Sequence, residues 1–277
     1  MNIPITAITL ETTAQCNLEC KICPTGRGEI ERSARTMSMD LIYKIIRENS
    51  EVKRITLNNW GEPLLHPEFF RILKHINETL PDCKIYFATN GTLLDKDRTD
   101  MILKYNIHEI QFSIDGVGAV YAGMRGADYE RTKKNILSFI EAKHDAGNDV
   151  RLVVKAVVNK ETEANLDVLN DDWKGVVDEV RLQPEITYDS SHIRRTPCPE
   201  LFNNQLVVLS DGRVTPCCAD YNGALTLGDA NQGVTLEDIW NGGRARSIRK
   251  AHEVGRYPRF CSKCSEYETD KCKRRFE

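Results

Sequence analysis

The chain has no apolar run approaching the roughly 20 residues that a membrane span needs. Its start, Met1-Asn2-Ile3-Pro4-Ile5, has no basic leader and no long apolar core. A membrane-spanning or exported protein is therefore not expected, and the expected location is the cytoplasm. Positive charge is also lacking: the net charge is −3, so no basic field draws in a nucleic acid. No internal repeat or low-complexity segment is present. The histidines, His66, His75, His108, His144, His192 and His252, show no metal-ligand spacing and are expected mostly at the surface.

Cysteine is what the sequence has in excess. Ten cysteines occur in a chain expected in a reducing compartment, where clustered thiols bind metal more readily than they form disulfides. They fall into a front set (16, 20, 23) and a back set (198, 217, 218, 261, 264, 272), with Cys83 alone between them. Two sets predict two metal centres. Cys83 reads as an ordinary buried thiol. Cys218 is expected to point away from its neighbour Cys217 if that stretch is a strand. Cys272 has no assigned part.

The rest of the chain alternates between strand and helix patterns. Strands are expected at 5–11, 54–58, 84–89, 109–114, 150–158 and 179–183. Helices are expected after Ser38, after Pro67, at 97–105, at 129–146 behind the cap Asp128, and near 162–171. Six alternating units favour a parallel sheet with right-handed crossovers; eight would close a barrel, and six leave it open. In such folds ligands bind beyond the carboxyl ends of the strands. The motif-like residues fall there: the front cysteines, Trp60-Gly61-Glu62-Pro63, Asn90-Gly91, Asp115-Gly116 and Glu185. After about residue 190 the pattern changes. Residues 205–209 and 213–217 read as a hairpin around an Asp-Gly turn, followed by short helices and Cys261-Ser262-Lys263-Cys264. The expected units are 1–190 and 191–277.

Three thiolates on a short loop can hold three irons of a four-iron cluster and leave the fourth open to a ligand. A zinc knuckle completed from elsewhere is the competing reading, and a four-cysteine zinc site competes equally for the back set. The C-x3-C-x2-C spacing of Cys16, Cys20 and Cys23, together with Trp60-Gly61-Glu62-Pro63, Phe112-Ser113-Ile114-Asp115-Gly116 and Met124-Arg125-Gly126, resembles the radical S-adenosylmethionine (radical SAM) superfamily. That resemblance implies a partial (β/α)6 TIM-like barrel and a [4Fe-4S] cluster whose open iron binds S-adenosyl-L-methionine. It implies cofactor contacts from Gly61, Glu62, Ser113, Asp115 and Arg125: Glu62 toward the ammonium, Ser113 and Asp115 toward the ribose, Arg125 toward the methionyl carboxylate. Ile22 stands where family members often carry an aromatic residue beside the adenine. The back cysteines resemble the shorter, twitch form of the SPASM extension, in which Cys198, Cys217, Cys261 and Cys264 would hold an auxiliary [4Fe-4S] cluster.

The implied activity is cleavage of S-adenosylmethionine to a 5′-deoxyadenosyl radical, hydrogen-atom abstraction from a small-molecule substrate, and electron supply from a flavodoxin- or ferredoxin-type reductant. The compact size, the single auxiliary cluster and a first strand starting near Met1, which leaves no room for a peptide-binding domain ahead of it, resemble the 2-deoxy-scyllo-inosamine dehydrogenase type. The expected reaction is thus oxidation of a sugar or aminocyclitol alcohol. Peptide maturation, radical epimerisation with Cys218 or Cys272 as thiol donor, and a zinc-stabilised binding module are the alternatives. Asn58, Tyr86, Lys155, Gln183 and Glu185 are candidate substrate contacts, but strand alternation without a register does not say which of them face inward.

Overall fold

In the computed structural model, residues 2–32, 35–187 and 194–265 are described; Cys272, His192 and the expected unit boundary at 190/191 lie outside them. The six expected strands form as β1 (Ala7–Leu10), β2 (Arg54–Thr56), β3 (Lys84–Thr89), β4 (Glu109–Ser113), β5 (Arg151–Val158) and β6 (Glu179–Pro184). Each pairs in parallel with the next in chain order. Sequential order is what a TIM-like barrel requires, whereas a doubly wound sheet reverses its order midway. The fold is therefore α/β, a six-stranded open barrel.

The helices lie between the strands because each carries one apolar stripe. Helix α1 (Met39–Glu48) is capped by the Ser38 hydroxyl, which accepts from Leu41 N at 3.3 Å, and buries Leu41, Ile42, Ile45 and Ile46. Helix α2 (Phe69–Thr79) buries Phe69, Ile72, Leu73 and Ile76. It starts two residues past Pro67, and a 3-10 turn at Pro63–Leu65 precedes it. Helices α3 (Lys96–Ile102) and α5 (Tyr129–Asp145) are capped by Asp95 and Asp128, and α6 (Leu166–Trp173) completes the layer. A further helix, α4 (Ala119–Arg125), was not expected; it ends at Gly126, whose φ of 69° suits glycine.

The C-terminal part joins the same sheet. Strand β7 (Gln205–Val208) pairs in parallel with β1, and β8 (Arg213–Thr215) and β9 (Gly228–Asp229) follow antiparallel, in the order β6-β5-β4-β3-β2-β1-β7-β8-β9. Three short helices, α7 (Leu236–Trp240), α8 (Gly243–Glu253) and α9 (Arg259–Ser262), close this part. Strand β8 ends at Thr215, two residues earlier than expected. Cys217 and Cys218 therefore sit in a turn, and strand alternation does not separate their side chains.

Candidate active site

The sheet register brings the inner strand faces together. A cavity of about 670 Å³ opens at the front cysteines and runs down the barrel interior. All five candidate contacts, Asn58, Tyr86, Lys155, Gln183 and Glu185, line it. At its floor, Glu109 and Arg181 line it and belong to an ionic square completed by Arg151 and Glu179. Glu109 faces Arg181 at 3.2 Å and Arg151 at 3.3 Å, while Glu179 faces Arg151 at 2.6 Å and Arg181 at 2.8 Å. These bonds hold the Glu179 carboxyl down at about 2, with the Arg181 contact as the largest cause.

The front cysteine loop is held at three points. Lys21 N donates to Met124 O at 3.0 Å, which latches the loop to the end of α4. Asn90 Nδ2 lies 3.8 Å from the Cys16 sulfur. Gly26 packs so closely on Cys20 that a Cβ there would sit 2.4 Å from Cys20 N, so only glycine lets the loop fold back. Gly61 has a similar reason to be glycine. A Cβ on it would lie 2.0 Å from Thr13 O, so the constraint comes from the chain leaving β1 rather than from a ligand.

Cys16, Cys20 and Cys23 line the cavity together with Gly61, Glu62, Ser113 and Arg125. Ile22 lines it as well. The Glu62 carboxylate is buried and accepts from Thr89 Oγ1 at 2.8 Å, Asn90 N at 2.8 Å and Leu64 N at 3.2 Å. Burial nevertheless outweighs these bonds and pushes its carboxyl up to about 7. Asp115 departs from expectation. It is fully buried and does not line the cavity. Its carboxylate accepts from Val157 N at 2.7 Å and pairs with Arg125 at 2.7 Å. Both contacts place its carboxylate behind Arg125.

The back thiols come from three separate pieces of chain. Cys198 caps a 3-10 turn, Cys217 follows β8, Cys261 lies in α9, and Cys264 follows α9. Burial pushes the Cys198 thiol up to about 11 and Cys261 up to about 12; in the front set it pushes Cys16 up to about 11. Buried thiols of this kind stay protonated unless a cationic metal centre ionises them. The donor chemistry of both sets therefore fits iron–sulfur clusters. Among the described residues no three His, Cys, Asp or Glu side chains converge on one ion's position.

Trp60 ties the two sets. Thr25 Oγ1 in the front loop donates to Trp60 O at 2.5 Å, and Trp60 Nε1 donates to Cys218 O at 2.7 Å. Deeper in, Arg32 pairs with buried Glu11 and donates to Ser210 Oγ at 2.7 Å and Tyr221 O at 2.8 Å. Cys218 itself is exposed to the cavity. Most histidines are expected at the surface from sequence, yet His66 and His252 are buried. His66 packs against Met37 O and His252 against the amide of Cys198. Arg194, buried against the back cysteines, carried no sequence signal at all. None of the described helices is long and apolar enough to cross a membrane.

Comparison with known proteins agrees with this geometry. The model of the Radical SAM superfamily matches residues 10–169, and that of an iron–sulfur cluster-binding domain matches residues 198–265. An AdoMet-dependent heme synthase from Methanosarcina barkeri is 32% identical over 134 residues, 47% of this chain and 37% of that protein. This chain thus spans well under half of that relative. An S-adenosyl-L-methionine-dependent 2-deoxy-scyllo-inosamine dehydrogenase from Niallia circulans is 22% identical over 93% of this chain and 92% of its own. The crystal structure of BtrN in complex with AdoMet and 2-DOIA superposes with a TM-score of 0.66 at 20% identity, covering 98% of both chains.

Proposed function

The chain belongs to the Radical SAM superfamily, and from that premise we propose that it oxidises a secondary alcohol of a small polyol, a sugar or aminocyclitol, to a ketone. The observation that carries this reading is the cavity below the front cysteines, whose walls are hydrogen-bonding side chains such as Asn58, Tyr86, Gln111, Lys155 and Gln183. A hydroxyl-rich ligand finds hydrogen-bonding side chains there on every strand. Cys16, Cys20 and Cys23 would hold the front cluster, and Cys198, Cys217, Cys261 and Cys264 the auxiliary one. Bound there, the two clusters and S-adenosylmethionine supply a radical that removes a hydrogen atom from carbon and an acceptor for the remaining electron.

Loss of a hydrogen atom and an electron leaves one proton to be taken from the hydroxyl. Three carboxylates line the cavity: Glu62, Glu109 and Glu185. Glu62 holds three donors, and Glu109 holds two arginines and Gln111. Glu185 is held by one amide, Asn159 Nδ2 at 2.9 Å, and is the carboxylate we assign as proton acceptor. Arg125, steadied by Asp115, serves the cofactor carboxylate, and Ser113 the ribose. The expected division at 190/191 then separates a radical-forming unit from an electron-accepting one, with electrons entering from a flavodoxin- or ferredoxin-type reductant.

The test is anaerobic reconstitution with iron and sulfide, then S-adenosylmethionine, reductant and a panel of aminocyclitols and sugars. The expected result is about one 5′-deoxyadenosine per ketone formed. Replacing Cys261 and Cys264 by Ser should stop oxidation and leave the front cluster. Colourless protein carrying zinc would overturn the reading. Cys218 supports a second reading, radical epimerisation, because its thiol borders the cavity and can return a hydrogen atom. Deuterium from D2O appearing on the substrate carbon would select it.

A further inference from the structure

We propose that Arg194 is a positioning residue for the back centre, acting through Cys264 and Cys261 to raise the potential of the auxiliary cluster and make it an electron acceptor. The inference rests on the iron–sulfur reading of the back cysteines and goes beyond it by assigning which side chain sets their redox behaviour.

Arg194 is 3% exposed. Its backbone N donates to Ser262 O at 3.1 Å, its Nε to Cys261 O at 3.1 Å, and its Nη1 to Thr196 O at 3.3 Å. The guanidinium is thereby fixed on the loop that carries two of the four thiols. It lies within hydrogen-bonding reach of the Cys264 thiol and acts electrostatically on Cys198 and Cys261 as well. Three of the four ligands thus face one buried cation.

Reduction of a cluster adds negative charge that spreads onto its sulfurs. Donors and positive charge aimed at those sulfurs stabilise the reduced form more than the oxidised one, so the potential rises. The effect is larger where water is excluded. Two acids act in the opposite sense, Glu200 on Cys198 and Asp220 on Cys261. Asp220 is committed to Thr215 Oγ1, Ala224 N and Leu225 N. His252 supplies no second cation, since its Nδ1 accepts from Cys198 N at 3.2 Å and so carries no proton. Among the described residues, the cation acting on these thiols is therefore Arg194.

The experiment is potentiometric titration of the auxiliary cluster by electron paramagnetic resonance. The background is the full chain carrying Cys16→Ala, Cys20→Ala and Cys23→Ala, so that only the back centre holds iron. Arg194→Gln is expected to lower the reduced-to-oxidised ratio at fixed ambient potential about tenfold, a shift of about 59 mV for one electron. Arg194→Lys, which keeps the charge but loses the fork, should fall between Gln and the parent. Full iron with an unmoved potential in Arg194→Gln overturns the proposal. If that variant loses its iron, Arg194→Lys decides: a lowered potential supports the proposal, and an unchanged one or loss of iron overturns it. A parent background without iron at the back cysteines fails the iron–sulfur reading itself, which separates the two failures.

Discussion

Arg125 and Asp115 form a pair at 2.7 Å at the mouth of the barrel, with the Asp115 side chain fully buried and the Arg125 side chain 14% exposed. The other face of the guanidinium lies 4.0 Å from the Cys20 sulfur. One buried acid therefore steadies the cation that borders both the front thiols and the cavity. Asp115→Asn leaves Arg125 buried without its counter-charge. Breaking such a pair costs about 3–5 kcal/mol, which urea unfolding of the metal-free chain will read. S-adenosylmethionine should also bind more weakly to the reconstituted protein, as equilibrium dialysis will show. Unchanged stability would mean that Val157 N alone holds Asp115.

Gly61→Ala tests whether chain packing, not ligand approach, demands glycine there. A Cβ at 2.0 Å from Thr13 O cannot be accommodated without moving the exit of β1. We expect a loss of about 1–3 kcal/mol or more, as overpacking costs, measured in protein without cofactor. Loss of cofactor affinity with stability intact would reverse the explanation.

Acid should weaken the barrel floor in a defined window. The folded carboxyl of Glu179 sits at about 2, below the ordinary 4.5. Its contribution is fully present above about 4.5 and is lost as pH falls toward 2, where the folded state must take up the proton. Glu179→Gln should flatten the fall of unfolding stability across that window. A slope identical to that of the parent would remove Glu179 from the account.

Glu185→Gln separates proton acceptance from radical formation. Removing a general base lowers turnover by about 10²- to 10⁴-fold, so ketone formation should drop on that scale. Reductive cleavage of S-adenosylmethionine without substrate should continue at the parent rate. Full ketone production in the variant would send the proton elsewhere.

Much of this architecture was legible because strand and helix periodicities are local. Lys84–Thr89 alternates buried residues with exposed or half-buried ones, and Ser38 caps the helix it precedes. That Cys16, Cys20 and Cys23 share one cavity was legible because they lie close together in sequence. What stayed hidden depends on distant pairing. The partnership of Ala7 with Gln205 joins residues that share no pattern. The inward turn of Tyr86 and Gln183 follows from register, which alternation alone leaves free. Burial of Asp115, Arg194 and His252 is set by what packs over them. A charged or imidazole side chain reads in sequence as solvated until that cover is known.

The parallel pairing of β1 with β7 has a meaning beyond the placement of thiols. In an open barrel β1 would be a sheet edge, a row of unsatisfied amides and carbonyls ready to template a foreign strand. Here Gln205–Val208 occupies that edge along the whole of Ala7–Leu10. The C-terminal part therefore covers the β1 edge of the barrel as well as carrying the second set of cysteines. Selection for solubility alone would resist its loss, even in a descendant that dispensed with the second set of cysteines.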